Sequence, residues 1–210
     1  MALKKGIEWG IISAGFYVAA QVLANVASTK IASIPHILWA TDGGTLIYPL
    51  TFILRDIIHK MLGKRVARQV VVAAGFASLF SALAIYVVGL LPSDPSWTNQ
   101  AAYDVVLLPV FRITLASILA QVVSELIDTE IFSYVIKIKK LSDTVAVLSS
   151  NFVSLVVDSL LFVLLAFGGI LETPVLVQII VTNILIKVIM SLLSTPAIWA
   201  VKRTVPFEEL

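Results

Sequence analysis

Six apolar segments, each about as long as a bilayer is thick, constrain the fold of this chain more than any other feature. A transmembrane helix needs about 20 mostly apolar residues, and the segments lie at 7–28, 43–60, 66–91, 105–136, 144–171 and 174–201. Only 13% of the residues are charged, against roughly 25% in soluble domains, and the mean hydropathy is +1.01. Backbone groups in lipid must be satisfied within the segment itself. We therefore predict an all-α, multi-pass protein of the cell membrane, with six transmembrane helices in a single domain of residues 1–210.

Two of these segments depart from the ideal length. The fourth is longer than the bilayer is thick, so we expect it to tilt, to protrude or to bend near Pro109. The second is short and carries Arg55 and Asp56, so its depth in the membrane is the least defined.

Basic residues concentrate in alternate loops between the segments. Eleven flank the segments on one side, whereas the loops of the opposite side hold only Lys30. The eleven are Lys4, Lys5, Lys60, Lys64, Arg65, Arg68, Lys137, Lys139, Lys140, Lys202 and Arg203. Loops rich in Lys and Arg face the cytoplasm. The sequence therefore predicts that both termini are cytoplasmic.

The residue composition argues against several kinds of functional site. The chain has no cysteine and two histidines, which argues against thiolate chemistry and histidine-rich metal sites. The net charge of +2 and the lack of a basic patch argue against a nucleic-acid partner. No P-loop or H-E-x-x-H motif occurs. We therefore predict no cofactor and no enzymatic activity, and keep an intramembrane enzyme only as a minor alternative.

A polar stripe occurs twice within the apolar sequence. Gln121-x-x-Ser124-x-x-x-Asp128-x-x-x-Phe132 recurs thirty positions later as Asn151-x-x-Ser154-x-x-x-Asp158-x-x-x-Phe162. These spacings place each set on one face of a helix. Because the two predicted helices run in opposite directions, the stripes predict a cavity with approximate inverted symmetry, as in many transporters.

Further polar residues fall inside or near the segments. Asn183 and Lys187 are one turn apart, and Asn25 lies near the end of the first segment. Charges at membrane depth cost roughly 2.5–3.5 kcal/mol each, so they should pair or face water. Arg112 and Lys187 are the natural partners for the acids Asp56, Asp128 and Asp158, and the sequence leaves open which of them pair.

Polar residues on transmembrane helices also serve as contacts between helices. Ser78, Ser81, Ser149 and Ser150 fit that role, whereas Asn151, Asn183 and Asp128 fit either role. Asp158 lies in the middle of an apolar segment, which favours a functional role for its carboxylate.

The chain resembles the queuosine precursor transporter family in pieces spread over most of its length. The matching pieces are Asn25 with Lys30, Tyr48-Pro49-Leu50-Thr51-Phe52 leading to Asp56, Gly63-Lys64-Arg65-x-Ala67-Arg68, Phe111-Arg112 with Ala116-Ser117, Gln121 to Phe132, Ser154-x-x-x-Asp158-Ser159, and Asn183-x-x-x-Lys187 with Thr195-Pro196. The resemblance implies import of a 7-deazaguanine, such as 7-cyano- or 7-aminomethyl-7-deazaguanine or queuine, for salvage into modified tRNA.

The chemistry of a deazaguanine gives the polar residues specific roles. A carboxylate accepts two of its N–H donors, an amide serves its carbonyl oxygen and an aromatic ring stacks on its plane. We expect Asp158 or Asp56 as the carboxylate, Asn151, Asn183 or Gln121 as the amide, and Phe52 or Phe162 as the ring. The full set of candidate substrate-binding residues is Asp158, Asn151, Asp56, Gln121, Asp128, Asn183, Lys187, Arg112, Asn25, Phe52 and Phe162.

A second reading is a substrate-binding subunit of an energy-coupling-factor type vitamin transporter, which would need separate coupling subunits. The expected partners are thus a nucleobase-like small molecule and the lipid bilayer, with coupling subunits in the second reading. Small residues in the third segment, Gly75, Ala77, Ala82 and Gly89, also permit a homodimer.

Overall fold

The chain forms seven α-helices and one short β-hairpin in the part that the structure, a computed structural model, describes: residues 2–35, 37–137 and 143–200. The helices are α1 (Ala2–Ala27), α2 (Tyr48–Leu62), α3 (Lys64–Gly89), α4 (Gln100–Leu107), α5 (Pro109–Lys137), α6 (Asp143–Phe167) and α7 (Thr173–Ala200). Strands β1 (Ile31–Ser33) and β2 (Ala40–Asp42) pair antiparallel, and a 3₁₀ helix follows at Gly43–Leu46. Lys139, Lys140, Lys202 and Arg203, on which part of the orientation prediction rests, lie outside the described residues.

Within the described residues, five helical segments are long and apolar enough to cross a membrane. They are Ile7–Ala27, Lys64–Gly89, Gln100–Val135, Ser149–Phe167 and Thr173–Met190. The helical character of the chain and these segments confirm an all-α membrane protein, apart from the small hairpin.

The second predicted segment, 43–60, is split between the 3₁₀ helix and α2. The fifteen residues of α2 span about 22 Å at 1.5 Å per residue, which is shorter than the hydrocarbon core of about 30 Å. The length of α2 alone therefore does not make it a sixth crossing. Gly63, with φ of +85°, then turns the chain directly into α3.

The long fourth segment is divided into two helices at Pro109, where the sequence predicts a bend. Helix α4 ends at Leu107 and α5 begins at Pro109, because proline fits the first turn of a helix, where its missing N–H costs nothing. The Tyr103 hydroxyl donates to the carbonyl oxygen of Ile85 at 2.8 Å, which holds α4 against α3.

Buried apolar side chains form two clusters, one in each half of the chain. The first cluster joins α1, α2 and α3 and contains Tyr17, Ile58, Ala67 and Ala74. The second joins α5, α6 and α7 and contains Ile113, Ala116, Val163, Ala166, Phe167, Leu176 and Ile179. Helices α1–α3 (the first helix group) thus pack beside α5–α7 (the second helix group), with α3 against α5 and α2 against α7.

The hairpin fills the space between the two groups, where the sequence predicted only a loop. The backbone N–H of Ala40 donates to Gln178 Oε1 at 3.0 Å, and the Thr182 hydroxyl donates to the Ala40 carbonyl oxygen at 3.0 Å. These two bonds attach β2 to α7, so the chain that follows β2 begins at the junction of the groups.

Candidate functional site

A polar cavity lies at the junction of the two helix groups. Its lining comes from α1, the segment after β2, α2, α5, α6 and α7, and it encloses about 440 Å³ between atoms, counting the part open to solvent. Five of the predicted site residues line it: Asn25, Asp158, Phe162, Asn183 and Lys187. The structure therefore brings together residues from α1, α6 and α7 that are up to 162 positions apart in the chain.

Lys187 and Asp158 form an ion pair in the cavity wall. Lys187 Nζ lies 2.5 Å from Asp158 Oδ2, and the two side chains are 8% and 17% exposed. The ammonium group also donates to Ser159 Oγ at 3.2 Å and lies 5.3 Å from the centroid of the Tyr48 ring. This pairing confirms Lys187 as the partner of one of the predicted acids, and Asp158 Oδ1 lies 3.5 Å from Ser124 Oγ of α5.

A second carboxylate, Asp42, lies in the cavity wall and is 1% exposed. Its Oδ1 accepts from Ser28 Oγ at 2.7 Å and from the backbone N–H of Thr45 at 3.2 Å. Its Oδ2 accepts from the Thr45 hydroxyl at 2.6 Å, and this hydroxyl also contacts Oδ1 of Asn183. The cap of the 3₁₀ helix is thereby joined to α1 and to α7.

Gly44 makes this close packing possible. A Cβ at this position would overlap Ser28 Oγ and lie 2.5 Å from the Ala24 carbonyl oxygen. Only a residue without a side chain lets the 3₁₀ helix approach α1 this closely.

One amide in the cavity wall has no partner. Asn25 is 6% exposed, and its Nδ2 is a buried donor without a hydrogen bond among the described residues. Buried polar groups are nearly always hydrogen-bonded, and an unmade bond costs about 1–3 kcal/mol. The Asn25 amide is therefore a natural donor to a ligand in this cavity.

The repeated stripes of α5 and α6 face one another. Ser124 Oγ of the first stripe lies 3.5 Å from Asp158 Oδ1 of the second, and Ser154 Oγ of the second lies 3.4 Å from Asp128 Oδ1 of the first. Both distances are at the outer limit of hydrogen bonding. The reciprocal contacts agree with the inverted symmetry that the repeat predicts.

Six predicted site residues lie away from the cavity lining: Asp56, Gln121, Asp128, Asn151, Phe52 and Arg112. Asn151 is exposed, Gln121 contacts Glu125 at 3.4 Å, and Asp56 is half-buried on α2. Phe52 stacks edge-on against Tyr48, which does line the cavity, with a centroid distance of 5.4 Å.

Arg112 has a different partner from the acid that the sequence predicted. Its Nε donates to the carbonyl oxygen of Leu165 at 2.8 Å and its Nη2 to that of Gly168 at 2.6 Å. The last carbonyl groups of a helix lack partners within the helix and attract cations. Arg112 therefore ties α5 to the end of α6, and the predicted ion pair of Arg112 with an intramembrane acid is wrong.

Sequence reasoning missed seven of the residues that line the cavity. They are Ala24, Ser28, Asp42, Gly44, Thr45, Tyr48 and Ser117. The run Asp42-Gly43-Gly44-Thr45 carried a usable signal, since an Asp before a short helix accepts hydrogen bonds from its first turn. Across the described residues, no group of three or more His, Cys, Asp or Glu side chains could hold a metal ion.

Comparison with known proteins gives a consistent result. The model of the family described as "Putative vitamin uptake transporter" matches residues 42–201. A "Probable queuosine precursor transporter" of Bacillus subtilis (strain 168) is 30% identical over 171 residues, which cover 79% of this chain and 73% of the relative. A protein of the same name from Haemophilus influenzae (strain ATCC 51907 / DSM 11121 / KW20 / Rd) is 27% identical over 158 residues, 75% of this chain and 65% of the relative. No solved structure matches significantly.

Proposed function

The chain belongs to the vitamin uptake transporter family, and from this premise we propose that it imports a queuosine precursor, a 7-deazaguanine, for salvage into modified tRNA. Membership makes it a multi-pass transporter of the cell membrane rather than an enzyme. The names of the two relatives support this substrate class. The observation that carries the proposal is the cavity, where two carboxylates, two amides and aromatic rings meet between apolar helices.

The Asp158 carboxylate accepts hydrogen bonds from the N–H groups on the pairing edge of the base. Lys187 Nζ lies 2.5 Å from its Oδ2, whereas the contact of Oδ1 among the described residues is the Ser124 hydroxyl at 3.5 Å. Each carboxylate oxygen has two acceptor positions, so Oδ1 can accept N–H groups of the ligand while Lys187 stays in place.

The remaining contacts with the base would come from an amide donor and from aromatic rings in the cavity wall. Asn25 Nδ2 has no hydrogen-bond partner in the part of the chain that the structure describes, and it would donate to the carbonyl oxygen of the base. The rings of Tyr48 and Phe162 line the cavity and offer faces for stacking. Because these three residues come from α1, α2 and α6, a bound base would join the two helix groups.

Transport then proceeds by alternating access around this site. The contacts of Ser124 with Asp158 and of Ser154 with Asp128 join α5 and α6 as an inverted repeat would, and inverted repeats allow a transporter an outward-open and an inward-open arrangement. Exchange between them would open the cavity first to one side of the membrane and then to the other.

We propose six crossings with both termini in the cytoplasm, within a single domain of residues 1–210. The sixth crossing is the 3₁₀ helix together with α2, which cover residues 43 to 62 without a long break. A crossing here places the basic residues Lys60, Lys64 and Arg65 on the same side as the N-terminal Lys4 and Lys5, as the positive-inside rule requires.

Uptake by the purified protein in liposomes tests the proposal. We expect a labelled 7-deazaguanine to enter, Asp158→Asn to abolish entry, and Asp94→Asn, in the exposed loop before α4, to leave it unchanged. Binding without entry would favour the substrate-binding subunit of an energy-coupling-factor transporter. Normal entry with Asp158→Asn would refute the role of this carboxylate.

A further inference from the structure

We propose that the cavity selects a cationic ligand, whose ammonium group is bound by Asp42. Within the proposed function, on which this inference rests, the preferred substrate is then an aminomethyl-type deazaguanine rather than the neutral cyano compound. The inference comes from the charges and the unpartnered donor in the cavity wall.

The charged groups of the cavity lining do not balance. They are Asp42, Asp158 and Lys187, with a formal sum of one negative charge. Lys187 forms an ion pair with Asp158 at 2.5 Å, so its charge is already matched. Asp42 is therefore the carboxylate without a counter-charge.

Among the described residues, the hydrogen bonds to the Asp42 carboxylate come from neutral donors. Ser28 and Thr45 supply three hydrogen bonds to its two oxygens. The nearest basic residue along the chain, Lys30, has an exposed side chain and no ion pair with it. Neutral hydrogen bonds stabilise a carboxylate but leave its charge in place, and a buried charge without an opposite charge is strongly unfavourable. A ligand ammonium group would supply that charge.

Asn25 points independently to a ligand in the same cavity. Its side chain is 94% buried, since it is 6% exposed, and its Nδ2 donor has no acceptor among the described residues. The occupant should thus carry both a cation for Asp42 and an acceptor for Asn25. An aminomethyl deazaguanine has an ammonium group and a carbonyl oxygen. The cyano compound has no cation, and its nitrile nitrogen is an acceptor that Asp42 would repel.

Titration calorimetry of the full-length protein in detergent tests the preference directly. We expect the wild type to bind 7-aminomethyl-7-deazaguanine roughly tenfold to a hundredfold more tightly than 7-cyano-7-deazaguanine, the range of a charge-assisted hydrogen bond. Asp42→Asn should remove this difference by weakening the aminomethyl ligand alone, because Asn keeps the shape and caps a helix as well as Asp does. Asp94→Asn, an exposed acid in the loop after α3, is the matched control.

The outcomes separate this inference from the proposed function. Equal binding of both ligands to the wild type would overturn the preference and leave the proposed function intact. Equal weakening of both ligands by Asp42→Asn would show that Asp42 only supports the cavity wall. Binding of neither ligand would overturn the proposed function together with the preference. Should Asp42→Asn fail to fold, the wild-type comparison of the two ligands decides alone.

Discussion

Removing both partners of the Lys187–Asp158 ion pair should destabilise the protein by less than the sum of the losses from removing each partner alone. The two atoms lie 2.5 Å apart, and at an effective dielectric constant of 20 their attraction is about 7 kcal/mol. The loss of hydration of both ions offsets much of this attraction, so the net value of a buried pair is small. A single substitution instead leaves a charge buried without a partner, which costs about 3–5 kcal/mol.

We expect Lys187→Met and Asp158→Asn each to lower the free energy of unfolding by about 3 kcal/mol, the lower end of that range, because Asp158 keeps 17% of its exposure. The double variant should lose less than the sum of the two by at least about 2 kcal/mol, since residues in contact couple by 0.5–3 kcal/mol.

Equilibrium unfolding in detergent measures the free energy of unfolding of the wild type, the two single variants and the double variant, which together form a double-mutant cycle. The matched control is the pair Lys64→Met, at the exposed start of α3, and Asp94→Asn, in the exposed loop before α4. Their losses of unfolding free energy should be additive. Additive losses for Lys187→Met and Asp158→Asn would refute the reasoning, because the two charges would then not depend on each other.

Four further substitutions test other parts of the structure. Gly44→Ala should destabilise the protein by about 1–3 kcal/mol through overpacking against α1, whereas Gly75→Ala, with no atom within 4 Å of the added Cβ, should be neutral or stabilising in thermal unfolding. Arg112→Lys should lose about 1.5–3 kcal/mol in the same assay, because lysine cannot reproduce the two-pronged contact with the end of α6; an unchanged unfolding temperature would count against that contact. Asp128→Asn should retain ligand affinity in calorimetry within about threefold while Asp158→Asn loses it, since Asp158 lines the cavity and Asp128 does not. Equal losses of affinity would place both acids at the ligand.

The facing stripes of α5 and α6 could be predicted because they depend on local geometry. The spacing of Ser124 and Asp128, repeated by Ser154 and Asp158, fixes which side chains share a helix face. Two consecutive membrane helices joined by a short loop run antiparallel and pack together, so the reciprocal contacts follow. The same logic made Lys187 a candidate partner of an acid, since a lysine at membrane depth needs one.

The partners of Arg112 could not be predicted, because they depend on where another helix ends. The carbonyl oxygens of Leu165 and Gly168 become available only where α6 stops beside α5. Sequence patterns show charges but not the free backbone groups of a neighbouring helix end.

Asp42 was missed for a related reason. In the sequence it lies between two apolar segments, where an acid is usually solvated. The hairpin that buries it is fixed by contacts of Ala40 with Gln178 and Thr182, which are 138 and 142 positions away. Such long-range contacts have no local signature, so the acid of the cavity wall had to come from the structure.

The most direct test of the central claim is calorimetric binding of 7-deazaguanines to the purified protein and to Asp158→Asn, with guanine, biotin and riboflavin for comparison. We expect that a deazaguanine binds the wild type more tightly than the three other compounds do and that Asp158→Asn abolishes this binding while the protein remains folded. Selective binding of another vitamin, or undiminished binding of a deazaguanine to Asp158→Asn, would contradict it.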